Sequence, residues 1–130
     1  MAFIPYPAPI NVLLIDDDEA VGDSFAVCLE IFGYRVVAMT DPLMALERIV
    51  RSPPDVIVTD LHMPQMTGFE LIEMVRQLGL TTPIIAVSGA ATETLEQAQQ
   101  AGAQACLAKP LSCTDLARSI ERCVARTVSA

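Results

Sequence analysis

Apolar and polar positions along this chain follow two alternating rhythms. Short apolar runs at 11–15 (NVLLI), 35–39 (RVVAM), 56–59 (VIVT), 84–87 (IIAV) and 105–108 (ACLA) are separated by longer stretches. In those stretches apolar residues return every three or four positions. The first pattern reads as strands buried on both faces and the second as amphipathic helices. The first helix runs to about Phe32, with Val21, Phe25, Cys28, Leu29 and Phe32 on one face and Gly33 ending it. Thr40-Asp41-Pro42 starts the second, whose stripe is Leu43, Leu46, Ile49 and Val50, and Ser52-Pro53-Pro54 breaks it. The third is expected over 69–78, burying Leu71, Ile72, Val75 and Leu78. The fourth, over 92–101, has only Leu95 as a large anchor and should pack loosely. The fifth, over 112–126, turns Leu116, Ile120, Cys123 and Val124 inward. Five strands alternating with five helices predict an α/β fold, a doubly wound five-stranded parallel sheet in the order 2-1-3-4-5.

Composition narrows the class. With 130 residues the chain suits one well-packed domain, expected over 10–127, between an extended arm at 1–9 with prolines at 5, 7 and 9 and a short tail at 128–130. Hydrophobic content of 52% against 18% charged residues argues for a folded globule. A net charge of −8 argues against direct nucleic-acid binding, which needs a basic surface. No apolar run is long enough to span a membrane, and 1–9 carries no Lys or Arg, so a cytoplasmic location is expected. Cys28, Cys106, Cys113 and Cys123 contain no Cys-x-x-Cys pair and have one His to join them. They read as structural thiols, not as a zinc or redox site.

The chemistry lies where the strands end. In a doubly wound sheet the C-terminal ends of the first, third, fourth and fifth strands share one edge. Those ends carry Asp16 and Asp17, Asp60, Ser88 and Lys109. Singly, each has an ordinary explanation. Asp16 to Asp18 suit a helix N-terminus, Ser88 suits a turn, and Lys109 suits solvent. Together they bring three carboxylates, a hydroxyl and an ammonium to one place. Like charges about 4 Å apart repel by ~4 kcal/mol at an effective dielectric near 20, so such a cluster must gain protons, be paired or hold a cation. Oxygen ligands beside a lysine suit a hard ion such as Mg²⁺. A carboxylate nucleophile in that setting suits phosphoryl transfer.

The motifs LLIDDDEAV, VIVTDLHMPQMTG, IIAVSGA and AGAQACLAKP, in this order and spacing, resemble the receiver domain of two-component response regulators. The resemblance runs from Asn11 to about Arg126 and implies the flavodoxin-like receiver fold. It implies a phosphoprotein that accepts a phosphoryl group at Asp60 from a sensor histidine kinase or phosphotransfer protein, and that catalyses only its own phosphotransfer and dephosphorylation. Asp17, Asp60 and the backbone carbonyl of His62 would bind Mg²⁺, with Asp16 acting through water. Ser88 and Lys109 would contact the phosphoryl group, Asp18 would cap a helix, and the bond before Pro110 would be cis. The resemblance also puts His62 and Ala90 at positions that in this family adjust how fast the phosphoryl group is lost, although a solvent-facing His62 is the simpler reading. A downstream protein would dock on the face of the fourth helix, fifth strand and fifth helix.

The sequence departs from the family at Cys106, which stands at the switch aromatic, and at Leu111 after Lys-Pro. A cysteine cannot fill the volume an aromatic would, which predicts a muted change on that face; plain core packing is the alternative. Rival readings are a haloacid-dehalogenase-like phosphatase with Asp16 as nucleophile and Asp18 as acid, an FMN carrier, and a receiver-like interaction module that is not phosphorylated. The phosphatase lacks its further acidic pair, since only Asp115 and Glu121 follow the lysine. An FMN phosphate would be repelled by Asp16 to Glu19.

Overall fold

The computed structural model describes residues 8–89 and 94–128, with the side chains of 94, 95 and 126–128 left undescribed. The expected anchor Leu95, Ala90, most of the arm and the last two tail residues lie outside the described residues. Five strands, β1 (Asn11–Ile15), β2 (Arg35–Met39), β3 (Val56–Asp60), β4 (Ile84–Ser88) and β5 (Ala105–Ala108), form one parallel sheet. Its order is β2-β1-β3-β4-β5, as expected. Between and after them run α1 (Glu19–Ile31), α2 (Pro42–Arg51), α3 (Gly68–Gln77), α4 (Thr94–Ala101) and α5 (Cys113–Val128).

Strand side chains alternate between faces, and so they divide the core in two. Val12, Leu14, Val56, Val58, Ile85 and Val87 point toward α1 and α5, where Leu29, Leu116 and Ile120 meet them. Leu13, Ile15, Ile57, Ile84 and Ala86 point the other way, toward Ile49, Leu71, Ile72 and Val75. Ala98 of α4 is fully buried in this second layer, so a methyl group seats a helix with few large apolar residues.

Caps set the helix starts. Asp18 accepts from the amides of Ala20 and Val21, and Asp41 does the same for Leu43 and Met44. Thr67 and Glu70 form a reciprocal capping box at α3. Gly68 is therefore the first residue of α3 and not part of the preceding loop.

Three expectations are corrected. Leu43 and Val50 are 54% and 57% exposed, because α2 is rotated to bury Pro42, Ala45 and Ile49. Leu78 (52%) and Phe32 (53%) are likewise exposed, each standing at the C-cap where its helix leaves the core. Leu43, Val50, Met74 and Leu78 instead line a shallow groove between α2 and α3. The third correction concerns the thiols. Cys28 and Cys113 form a disulfide, with their Cα atoms 6.3 Å apart at a sequence separation of 85. The fold makes this possible because α1 and α5 lie side by side on one face of the sheet. Cys106 and Cys123 are not part of it.

Arg76 links the far side of the domain. Its guanidinium donates to the carbonyls of Gly102 and Leu80 and to Gln104 Oε1, at 2.9–3.1 Å. Gln104 Oε1 in turn accepts from the Ile84 amide at 2.7 Å. One side chain thus ties the end of α3 to the end of α4 and to the start of β4.

Candidate functional site

The C-terminal ends of β1, β3, β4 and β5 meet at one edge of the sheet. β1 ends at Ile15 and presents Asp16 and Asp17. The Asp16 amide donates to the Met39 carbonyl, and its Oδ1 accepts from the Asp18 amide at 2.9 Å. Asp16 is buried, Asp17 exposed. Asp18 turns away to cap α1, as expected.

β3 is buried throughout and ends in Asp60, 7% exposed. Asp60 Oδ1 accepts from the His62 amide at 3.1 Å, while the His62 side chain is exposed. The backbone here is held firmly. Thr59 Oγ1 donates to the Asp60 carbonyl at 3.0 Å, and the Leu61 amide donates to Val87 at 3.0 Å. Gly68 completes the support: its amide donates to the Leu61 carbonyl at 3.0 Å, and a Cβ built on it would collide with the Asp60 carbonyl oxygen. Only glycine lets α3 start so close to the acid.

Lys109 approaches from β5. Its Nζ lies 3.2 Å from Asp60 Oδ2 and 3.6 Å from Asp16 Oδ2. Its amide donates to the Ser88 carbonyl at 2.8 Å, which joins the ends of β4 and β5. Ser88 is buried at the end of β4. The Lys109–Pro110 bond is cis. Cys106 is half-buried on β5, against the layer containing Ala86 and Ala98. Asp16, Asp17, Asp60 and Lys109 thus come together, and Ser88 shares their edge.

Asp16, Asp17 and Asp60 each offer one carboxylate oxygen, all within 4.8 Å of one another. Charges at that separation repel by ~3–4 kcal/mol per pair at an effective dielectric near 20. Burial raises the pKa of Asp16. The Asp18 amide and Lys109 oppose that rise, and the charges of Asp60 and Asp17 add to it. For Lys109, burial works against the charged form, but its hydrogen bond to Asp60 and the charges of Asp60 and Asp16 outweigh it and raise the pKa. One ammonium cannot balance three carboxylates. The oxygen-only donor set, open at Asp17, fits a hard divalent cation such as Mg²⁺.

Sequence reasoning missed the role of Gly68 against Asp60 and the buried methionines 63 and 66, which pack under the loop after β3. The capping box could have been read from Thr-x-x-Glu at 67–70. A Cβ contact across eight residues has no sequence signal.

Sheet order, strand-end acids and lysine define a class. Residues 12–121 match the family described as the response regulator receiver domain, and the chain belongs to that family. Response regulator MprA of Mycobacterium sp. (strain KMS) is 32% identical over 120 residues, which cover 92% of this chain and 52% of MprA. The sensor histidine kinase RcsC of Salmonella typhi is 30% identical over 110 residues, 84% of this chain and 12% of RcsC. The solved receiver domain of Francisella response regulator 1452 matches with a TM-score of 0.86 at 29% identity, covering 91% of this chain and 98% of that one. The chain therefore spans about half the length of MprA and a small part of RcsC. Among the described residues no helix is long and apolar enough to cross a membrane.

Proposed function

We propose that this receiver domain accepts a phosphoryl group on Asp60, from the phosphohistidine of a sensor histidine kinase or phosphotransfer protein. In that step an Asp60 carboxylate oxygen bonds to phosphorus as the N–P bond of the donor breaks, and the donor imidazole leaves with the electron pair. The observation that carries the reading is the position of Asp60: it ends the buried central strand, 3.2 Å from Lys109 Nζ and within 4.8 Å of Asp16 and Asp17. Lys109 supplies positive charge where the transferred oxygens would gather, and the Ser88 hydroxyl is the donor we assign to them. Asp17, Asp60 and the His62 carbonyl would hold Mg²⁺, with Asp16 acting through water. When bound, that ion would offset the negative charge on the transferred group.

The unit we assign to this chemistry is 10–127, acting in the cytoplasm on itself and not on a separate substrate. The match to a stretch of RcsC supports a histidine kinase as partner. Output would pass to a protein docked on α4, β5 and α5, through a muted change given Cys106 at the switch position.

The test is incubation with acetyl phosphate and Mg²⁺, followed by intact mass. One added phosphoryl group is expected in the wild type, and none in Asp60→Asn or with EDTA. Labelling that survives in Asp60→Asn but not in Asp16→Asn would favour the phosphatase-like reading. No labelling at all would leave the interaction module.

A further inference from the structure

The Cys28–Cys113 bond lies outside the acid cluster, yet it grips two elements that begin there. α1 starts two residues after Asp17, with Asp18 as its cap, and Cys28 is on its third turn. Cys113 is the first residue of α5 and lies four positions after Lys109. The link from Lys109 to Cys113 is therefore held at both ends. At one end an ammonium sits 3.2 Å from Asp60, and at the other a sulfur is bonded to α1. Between them Leu111 packs on the same core layer as Phe25, Cys28 and Cys113.

Two observations fit a bond that opens and closes. Both cysteines are half-buried, packed at the rim of the core layer and not sealed within it. Cys28 Sγ also lies 3.3 Å from the Phe25 carbonyl. A disulfide sulfur has no proton to give, so Cys28 Sγ can donate to this carbonyl only as the open thiol. The reduced state thus has a hydrogen-bond partner already in place. On the other side, Cys113 stands at the N-terminus of a 16-residue helix, where a thiolate is favoured and is the better leaving group.

We propose that Cys28 and Cys113 form a reversible thiol–disulfide site, reduced by a dithiol, whose state sets how firmly the start of α5 is held against α1. A thiolate of the dithiol attacks Cys28 Sγ, the S–S bond breaks, and Cys113 leaves as thiolate and takes a proton. The second thiol of the reductant then attacks the mixed disulfide and releases Cys28. The protein gains two protons and two electrons, and the dithiol becomes its own disulfide. Closure is the reverse, driven by a small-molecule disulfide such as oxidised glutathione. The site does not depend on phosphorylation of Asp60.

The test uses the full chain cycled between oxidised glutathione and dithiothreitol, with thiol alkylation read by peptide mass and backbone exchange read by hydrogen–deuterium mass spectrometry. After oxidation Cys28 and Cys113 should resist alkylation. After dithiothreitol under native conditions both should be labelled, and re-oxidation should restore protection. Exchange across 111–117 should speed up by about tenfold on reduction, as local opening no longer has to break the bond. The Cys28→Ser/Cys113→Ser double variant should show the reduced rate in either buffer. Full alkylation after oxidation, a bond that native dithiothreitol cannot open, or exchange rates equal within about twofold in the two states would each overturn the proposal.

Discussion

Gly68 and Gly22 both sit in helices, and both should respond to alanine, in opposite directions. Helix propensity alone favours alanine over glycine by about 0.8–1 kcal/mol in a helix interior. Gly22 lies within α1, and a Cβ there would meet only Ala38 Cβ at 3.8 Å, an ordinary contact. Gly22→Ala should therefore gain about 0.5–1 kcal/mol. At Gly68 the same methyl would overlap the Asp60 carbonyl oxygen and stand 2.8 Å from Leu61 Cα. Those are backbone atoms, fixed by the bonds to Thr59 Oγ1 and Val87, so no rotamer change can make room. Overpacking of this kind costs about 1–3 kcal/mol, and at the first helical position little propensity gain offsets it. For a domain of this size, Gly68→Ala should melt about 3–10 °C lower than wild type. Urea and thermal unfolding by circular dichroism, with all three proteins oxidised, read both values. Because the Asp60 backbone must move, Gly68→Ala should also label more slowly with acetyl phosphate, whereas Gly22→Ala should not. A Gly68→Ala protein as stable as wild type would refute the reasoning, and so would a destabilised Gly22→Ala.

Other residues give independent tests. Arg76→Ala removes a charged donor from Gly102, Leu80 and Gln104 and should cost about 1.5–3 kcal/mol in urea unfolding. Arg76→Lys should recover less than half of that, since a point donor cannot span three acceptors, and full recovery would contradict this account. The raised pKa of Lys109 implies stability fully present below its ordinary value of 10.5 and lost as pH rises through the higher folded value. In EDTA, urea midpoints of the wild type should fall across that range, and Lys109→Met should lack this component; parallel alkaline losses would remove the ion pair as its cause. Opening the Cys28–Cys113 bond frees a loop closed across a sequence separation of 85 and should lower unfolding free energy by about 2–5 kcal/mol. Equal midpoints with and without dithiothreitol would show the bond absent. Asp18→Ala should cost about 1 kcal/mol through loss of the α1 cap, and an unchanged thermal midpoint would count against that role.

The placement of the candidate residues was legible because they are tied to strand ends. Once the strands are placed by their apolar runs, Asp16, Asp17, Asp60, Ser88 and Lys109 fall on one edge by topology. Helix phase was less legible. In α2 apolar residues occupy both the buried line of Ala45 and Ile49 and the exposed line of Leu43 and Val50, so a stripe drawn through the largest residues takes in Leu46 and Ile49 correctly and Leu43 and Val50 wrongly. Leu78 and Phe32 keep the helical spacing but stand where the helix is already leaving the core. The disulfide depends on α1 and α5 sharing a face, and neither cysteine's neighbours in sequence encode that. Arg76 reads as a solvated helix residue until the carbonyls of Leu80 and Gly102 are brought to it.

The end of β3 is fastened on three sides: to β4 through Leu61, to α3 through Gly68, and to its own carboxylate through the His62 amide. Lys109 meets the same carboxylate on a flexible four-carbon stem. The acid is thus the fixed bearing of this edge, and the lysine stem is its compliance. Re-aiming an ammonium on such a stem costs far less than bending a sheet, so the lysine is the side of this pair that can yield.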